Sequence, residues 1–171
     1  MSRLNYLVSK IVSLETAISR VAMWKMKGEK VVFTNGCFDI LHKGHVTYLA
    51  QAAEAGTRLI VGLNNDASVR AQEKGADRPI NDEAARALVL AGLGVVDLVV
   101  VFGDQTPEEL IIALEPDVLA KGADYEPNER DPKSKKYIVG SDFVLRLGGK
   151  VIAIPLVDGY STTAIANKLK S

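Results

Sequence analysis

After Gly28 the chain alternates short, nearly unbroken apolar runs with longer segments of helical periodicity. The runs are Val31–Thr34, Arg58–Leu63, Leu98–Phe102, Val118–Ala120 and Val151–Pro155, rich in Val, Ile and Leu. Strands covered on both faces have this pattern, because neither face must meet water, and it predicts a parallel sheet. Between the runs, Gly44–Ala55, Asp82–Leu93, Pro107–Leu114 and Ile138–Leu147 read as crossover helices. Thr106 is placed to cap the third of these, with Pro107 as its first residue and Glu108 and Glu109 at its positive end. Five such units predict an α/β fold: a doubly wound, five-stranded parallel sheet with helices on both faces.

Residues 1–28 carry Arg3, Lys10, Arg20, Lys25 and Lys27 against one acid, Glu15. A basic stretch of this kind is either a transit peptide or a folded amphipathic helix. The helix is favoured: Ser13 can cap it, Leu14, Ala17, Ile18, Val21 and Ala22 share one face, and Gly28 ends it. The expected organisation is a helical extension over 1–28 followed by one domain over 29–171. The segment Tyr125–Lys136, dense in charge and broken by Pro127 and Pro132, is either a solvated loop or a lid over a site.

Composition narrows the function. Of 171 residues, 47% are hydrophobic and 25% charged, a globular balance. Lys plus Arg and Asp plus Glu are 21 each, so the net charge is zero. A nucleic-acid partner is therefore not expected, since that affinity comes mainly from neutralising phosphates. The single cysteine, Cys37, excludes an intramolecular disulfide and fits a reducing compartment, so the cytoplasm is expected. No apolar run approaches 18 residues, and no membrane partner is expected.

Ligands of doubly wound sheets bind beyond the carboxyl ends of the strands. Four clusters fall there. The first, Thr34-Asn35-Gly36-Cys37-Phe38-Asp39-Ile40-Leu41-His42-Lys43-Gly44-His45, follows the first strand and opens a helix. His42 and His45, three apart, share one helix face above unsatisfied N–H groups, which makes a phosphate cradle. Gly44 leaves room for close approach. The bland alternative is one capping and one packed histidine, but both histidines of the chain lie at this one place. A zinc pair would need a third ligand, which only carboxylates could supply, so no protein-held metal is expected. The second cluster holds Asn64-Asn65-Asp66-Ala67-Ser68, then Lys74-Gly75 and Arg78-Pro79-Ile80-Asn81. The third is Lys121-Gly122-Ala123-Asp124-Tyr125, and the fourth Asp158-Gly159-Tyr160-Ser161-Thr162-Thr163. Alone, a Lys-Gly pair is often a turn and a Ser-Thr-Thr run an N-cap; their joint placement at strand ends is what points to a site.

The G-C-F-D-x-x-H-x-G-H segment resembles the HxGH signature of the nucleotidyltransferase superfamily, which includes cytidylyltransferases. It lacks the G-x-G-x-x-G of dinucleotide folds. All four clusters together, from Val31 to Leu169, resemble the D-glycero-β-D-manno-heptose-1-phosphate adenylyltransferases. The resemblance implies a Rossmann-like nucleotidyltransferase domain and transfer of AMP from ATP to heptose 1-phosphate. The products would be pyrophosphate and ADP-heptose, a precursor of cell-surface polysaccharide. It also implies Mg²⁺ carried on the ATP phosphates and a homo-oligomer. In many relatives a sugar kinase forms the first half of the chain; here that kinase is expected as a separate protein. Glycerol-3-phosphate cytidylyltransferases end in a motif like R-T-E-G-I-S-T-T, where this chain has Leu156 and Val157 in place of Arg and Thr. That departure argues against cytidylyl transfer and leaves open which cation does the arginine's work.

The implied nucleophile is a phosphate oxygen already carrying a charge of about −1.5 to −2. No base is needed; catalysis is positioning and charge neutralisation. On this resemblance His42 and His45 donate to the phosphates, whose charge would raise their pKa values. Lys74 and Lys121 are the expected cations for the polyphosphate. Asn35, Gly36, Cys37, Phe38, Asn64, Asp66, Gly122, Asp124, Gly159, Ser161, Thr162 and Thr163 line the nucleotide pocket, Cys37 and Phe38 through backbone N–H groups. Arg78 is expected at the sugar phosphate. Lys43 is either a substrate contact or solvated, and Asp39 either orients a histidine or metal or holds the turn. The alternatives are a CTP-dependent relative acting on another acceptor, and a nucleotide-binding module without turnover.

Overall fold

The structure, a computed structural model, describes residues 1–72 and 78–170. Two helices, α1 (Arg3–Val8) and α2 (Leu14–Met26), precede the first strand, β1 (Val31–Gly36). The chain continues through α3 (Lys43–Ala53), β2 (Arg58–Asn64), α4 (Asp66–Ala71), α5 (Glu83–Ala91) and β3 (Leu98–Phe102). It ends with α6 (Glu108–Leu114), β4 (Val118–Gly122), α7 (Ser141–Arg146), β5 (Lys150–Ile154) and α8 (Thr162–Lys170). The strands lie in the order β3-β2-β1-β4-β5, every pair parallel. The winding reverses between β1 and β4, which opens a crevice at their carboxyl ends.

Successive strand residues face opposite sides. Val32, Val61, Val99 and Ala120 pack with Tyr48 and Leu49 of α3 and Ala87 and Leu90 of α5. Val31, Phe33, Ile60 and Leu119 pack with Ala17 and Val21 of α2 and Ile111 of α6. The predicted α/β architecture is therefore present, with both faces covered.

Several boundaries differ from expectation. Pro107, not Thr106, occupies the N-cap place of α6, and it makes no side-chain capping hydrogen bond. α7 is shorter than Ile138–Leu147 because Gly140 (φ +83°) and Gly148 (φ +81°) bracket it in left-handed backbone. In α2, capped by Ser13 as expected, Ile18 is 39% exposed and Ala22 is exposed too. The inward line is Leu14, Ala17, Val21 and Trp24. This stripe is narrower than predicted because α2 lies along one cluster rather than between two.

The segment between α1 and α2 covers the outer edge of the sheet. Ile11 bridges Val99 in parallel, Val12 N donates to Val99 O (3.0 Å), and Val99 N to Lys10 O (2.9 Å). Lys10, 8% exposed, donates through Nζ to the Val96 and Leu93 carbonyls at 2.8 and 3.4 Å. The loop 125–136 is closed by Glu126 N donating to Lys136 O (2.9 Å). Among the described residues no helix is long and apolar enough to cross a membrane.

Candidate active site

A cavity of about 660 Å³ opens at the carboxyl ends of the strands. Asn35 and Gly36 end β1 on its wall, Asn64 ends β2, and Lys121 and Gly122 end β4. The turn from β1 into α3 crosses it. Phe38 sits there in left-handed backbone (φ +45°), unusual for a residue with a side chain, and is itself buried.

His42 takes the N-cap place of α3 with extended backbone, and its side chain makes no capping hydrogen bond. The capping alternative therefore fails, and the ring is left for the cavity wall. His45 stacks on it with ring centroids 3.9 Å apart and planes 22° apart. Phe38 meets the His45 ring edge-on at 5.3 Å. Nδ1 of each histidine is buried without a hydrogen-bond partner among the described residues. Burial, and secondly the neighbouring His42, push His45 down to about 4, against the weak pull of the Ile40 carbonyl. Burial lowers His42 as well. Both shifts favour the neutral rings at pH 7. Gly44 leaves the His42 ring its place: a Cβ there would stand 3.0 Å from that ring and 3.3 Å from Tyr160 Cβ, so one of them would have to shift.

Across the crevice, Lys121 Nζ donates to Asn35 Oδ1 (2.7 Å) and lies 5.2 Å from the Tyr125 ring centroid. Tyr48 ties the two central strands below: its hydroxyl shares a hydrogen bond with Thr34 Oγ1 (2.7 Å) and donates to Ala120 O (3.1 Å). Burial pushes this phenol up to about 12. Leu156, in the place of the cytidylyltransferase arginine, stands 3.1 Å from a Cβ built on Gly122. Ser161 Oγ accepts from Ala164 N (3.0 Å), so this hydroxyl caps α8.

The structure brings together around one cavity Asn35, Gly36, Cys37, Phe38, His42, His45, Asn64, Lys121, Gly122, Asp124, Ser161 and Thr162. It does not bring Asp39, Lys43, Asp66, Arg78, Gly159 or Thr163 to the described wall. Asp39 instead holds the turn. It accepts from Arg78 Nη1 (2.7 Å), Ile80 N (2.7 Å) and Asn81 N (3.1 Å). Burial alone would raise its pKa, but these bonds outweigh it and hold the carboxyl below its usual value. Arg78 is spent on the same pair, and Lys43 lies over the Tyr160 ring at 5.4 Å. Lys74 lies outside the described residues.

Five wall residues went unremarked in the sequence: Tyr48, Gln72, Gln105, Tyr137 and Val139. Gln72 accepts from the Cys37 thiol (3.3 Å). Arg86 beneath the wall was missed too. Its signal was an arginine in phase with Leu90, one turn later on the buried face of α5. Among the described residues no group of three or more His, Cys, Asp or Glu side chains is gathered to hold a metal.

Residues 33–168 match the family described as cytidylyltransferase-like. The bifunctional protein HldE of Magnetococcus marinus is 51% identical over 162 residues, covering 95% of this chain and 31% of that protein. The bifunctional protein HldE of Rhodospirillum rubrum is 53% identical over 161 residues, covering 94% and 31%. The chain thus spans about a third of the length of these relatives. In structure it is similar to a lipopolysaccharide core biosynthesis protein from Thermoplasma volcanium, at a TM-score of 0.59 and 27% identity. That match covers 78% of this chain and 100% of the other.

Proposed function

We propose that this chain, which belongs to the cytidylyltransferase-like family and is a nucleotidyltransferase, adenylylates a sugar 1-phosphate. The donor is ATP and the acceptor D-glycero-D-manno-heptose 1-phosphate. An acceptor phosphate oxygen attacks the α-phosphorus, the bond from that phosphorus to the bridging oxygen breaks, and pyrophosphate leaves with the electron pair. No proton need move, because the nucleophile is already an anion. The barrier is repulsion between anions, which the protein lowers with fixed donors and cations in a partly enclosed site.

The observation that carries this reading is the stacked pair of imidazoles at the first turn of α3, shifted toward the neutral form when alone. A triphosphate beside them would raise both pKa values and convert the pair into cationic donors, while α3 adds its unsatisfied N–H groups. Lys121, at the far side of the crevice, supplies fixed positive charge. Magnesium, when bound, would neutralise charge on the phosphates; it needs few protein ligands, and among the described residues Asp124 is the carboxylate on this wall. ATP is favoured over CTP because Leu156 stands where the cytidylyltransferase motif has arginine. A sugar kinase must supply the acceptor, on this polypeptide or another.

Pyrophosphate release tests the proposal with ATP or CTP against heptose 1-phosphate and glycerol 3-phosphate. Turnover is expected with ATP and the heptose ester; turnover only with CTP and glycerol 3-phosphate would sink it. His45→Ala should lower kcat by about 10²–10³-fold, as for loss of one transition-state donor, with its melting temperature nearly kept. A normal rate in that variant would remove the imidazole pair from the chemistry.

A further inference from the structure

Arg86 is 2% exposed and is absent from the described cavity wall, yet it touches the backbone of two of the segments that form it, the turn after β1 and the end of β2. From α5 its Nη1 donates to the Cys37 carbonyl (2.6 Å) and the Asn64 carbonyl (2.8 Å). Nε donates to the Asn81 carbonyl (3.0 Å), and Nη2 to the Asp66 carboxylate (2.7 Å). One planar fork thus joins the loop after β1, the end of β2, the start of α4 and the turn before α5. Burying a guanidinium is tolerated only when its donors are used, and here they are used on segments whose relative positions shape the site.

The bond to Cys37 has a directional consequence. The Cys37–Phe38 peptide is trans, so its C=O and N–H point in opposite directions. Arg86 draws the carbonyl down, beneath a wall that Cys37 and Phe38 themselves line. The Phe38 N–H therefore points away from Arg86, which is not among the residues that line the cavity. Phe38 keeps left-handed backbone to follow that peptide (φ +45°), a conformation that persists only where the surroundings enforce it. Its ring, folded back to 3.0 Å from a Cβ built on Gly36, also meets His45.

We infer that Arg86 is a positioning residue: it holds the Cys37 carbonyl so that the Phe38 amide N–H is presented to a phosphate oxygen of the bound nucleotide. This rests on the proposed nucleotide site but not on the identity of the acceptor sugar. A merely structural arginine would affect melting; a positioning one also governs how this one amide responds to ligand.

Because the chain has one cysteine, labelling the cysteine carbonyl carbon and the phenylalanine amide nitrogen isolates the Cys37–Phe38 peptide in a carbonyl-correlated NMR spectrum. ATP is then titrated without acceptor. In the wild type the Phe38 amide proton should move downfield as it bonds to an anionic oxygen. Arg86→Lys, whose ammonium cannot span the same four acceptors, should lose that response. Its kcat should fall by about 10²-fold, more than KM for ATP rises, the scale of a small misplacement at a reacting centre. If that variant does not fold, Asp66→Asn loosens the fork at its more exposed end and should weaken the response. A wild-type rate and full response in a folded Arg86→Lys overturn the inference, as they do in Asp66→Asn if that variant must stand in. A Phe38 amide that stays still while ATP shifts the His42 and His45 rings overturns this inference alone. If ATP shifts nothing, the proposed nucleotide site falls with it.

Discussion

His42 and His45 stand 3.9 Å apart between ring centroids; burial lowers the pKa of both, and the neighbouring ring adds to the effect at His45. Burial and the adjacent ring hold His45 near 4 in the folded chain, against roughly 6.5 when unfolded. Between those values the unfolded state binds more protons, so stability rises with pH there. The contribution is complete above about pH 6.5 and is lost as pH falls toward 4. Its size is on the order of 3 kcal/mol. Asp39, held low by Arg78 and two backbone N–H groups, acts in the same direction at lower pH. Urea denaturation at pH 7 and pH 5 should therefore show a marked loss at pH 5 that His45→Gln reduces. An identical loss in that variant would mean that His45 does not carry it. The histidine pair was legible in sequence because a spacing of three fixes a shared helix face. Asp39 was ambiguous for an equally physical reason: a carboxylate after a strand serves a ligand or a turn, and only its three hydrogen bonds decide which.

At the scale of elements, long strongly patterned segments were legible and short ones were not. All five strands appear where unbroken Val, Ile and Leu runs lie. The six-residue helices α1 and α4 went unpredicted, because two turns carry too little periodicity and are held by caps, Ser2 and Asn65. Arg86 escaped because a charged residue on an apolar face defies the pattern by which the rest of α5 is recognised. The opening turn of α3 shows propensity and site geometry in conflict. Alanine at position 44 would favour the helix by about 0.5–1 kcal/mol over glycine. Its Cβ, however, would meet the His42 ring at 3.0 Å, and the ring is what can move. Gly44→Ala should therefore melt within a few degrees of the wild type while pyrophosphate release slows by about tenfold or more. Unchanged turnover would show that the ring's present place is not the working one.

For the whole molecule, the question is whether residues 1–28 are an appendage or part of the body, and it is one of energy. Ala17 is fully buried in the cluster that includes Val31, Phe33, Ile60 and Leu98. Residues 10–12 pair with the edge of β3, and Lys10 answers two carbonyls that would otherwise lack that partner. Removing 1–28 would uncover apolar strand residues, open a sheet edge and strand buried acceptors. Each is a named route to loss of stability, and together they approach the 5–15 kcal/mol that holds a domain folded. The chain beginning at Glu29 should thus fail to show a cooperative thermal transition by circular dichroism. Ala17→Glu in the full chain, placing a carboxylate in that cluster, should lower stability by about 3 kcal/mol or more. A truncated chain that melts cooperatively near the wild-type temperature would make these helices an accessory. Because α2 covers β1 and β3 from the face opposite α3, the same experiment shows whether the site's central strand depends on it.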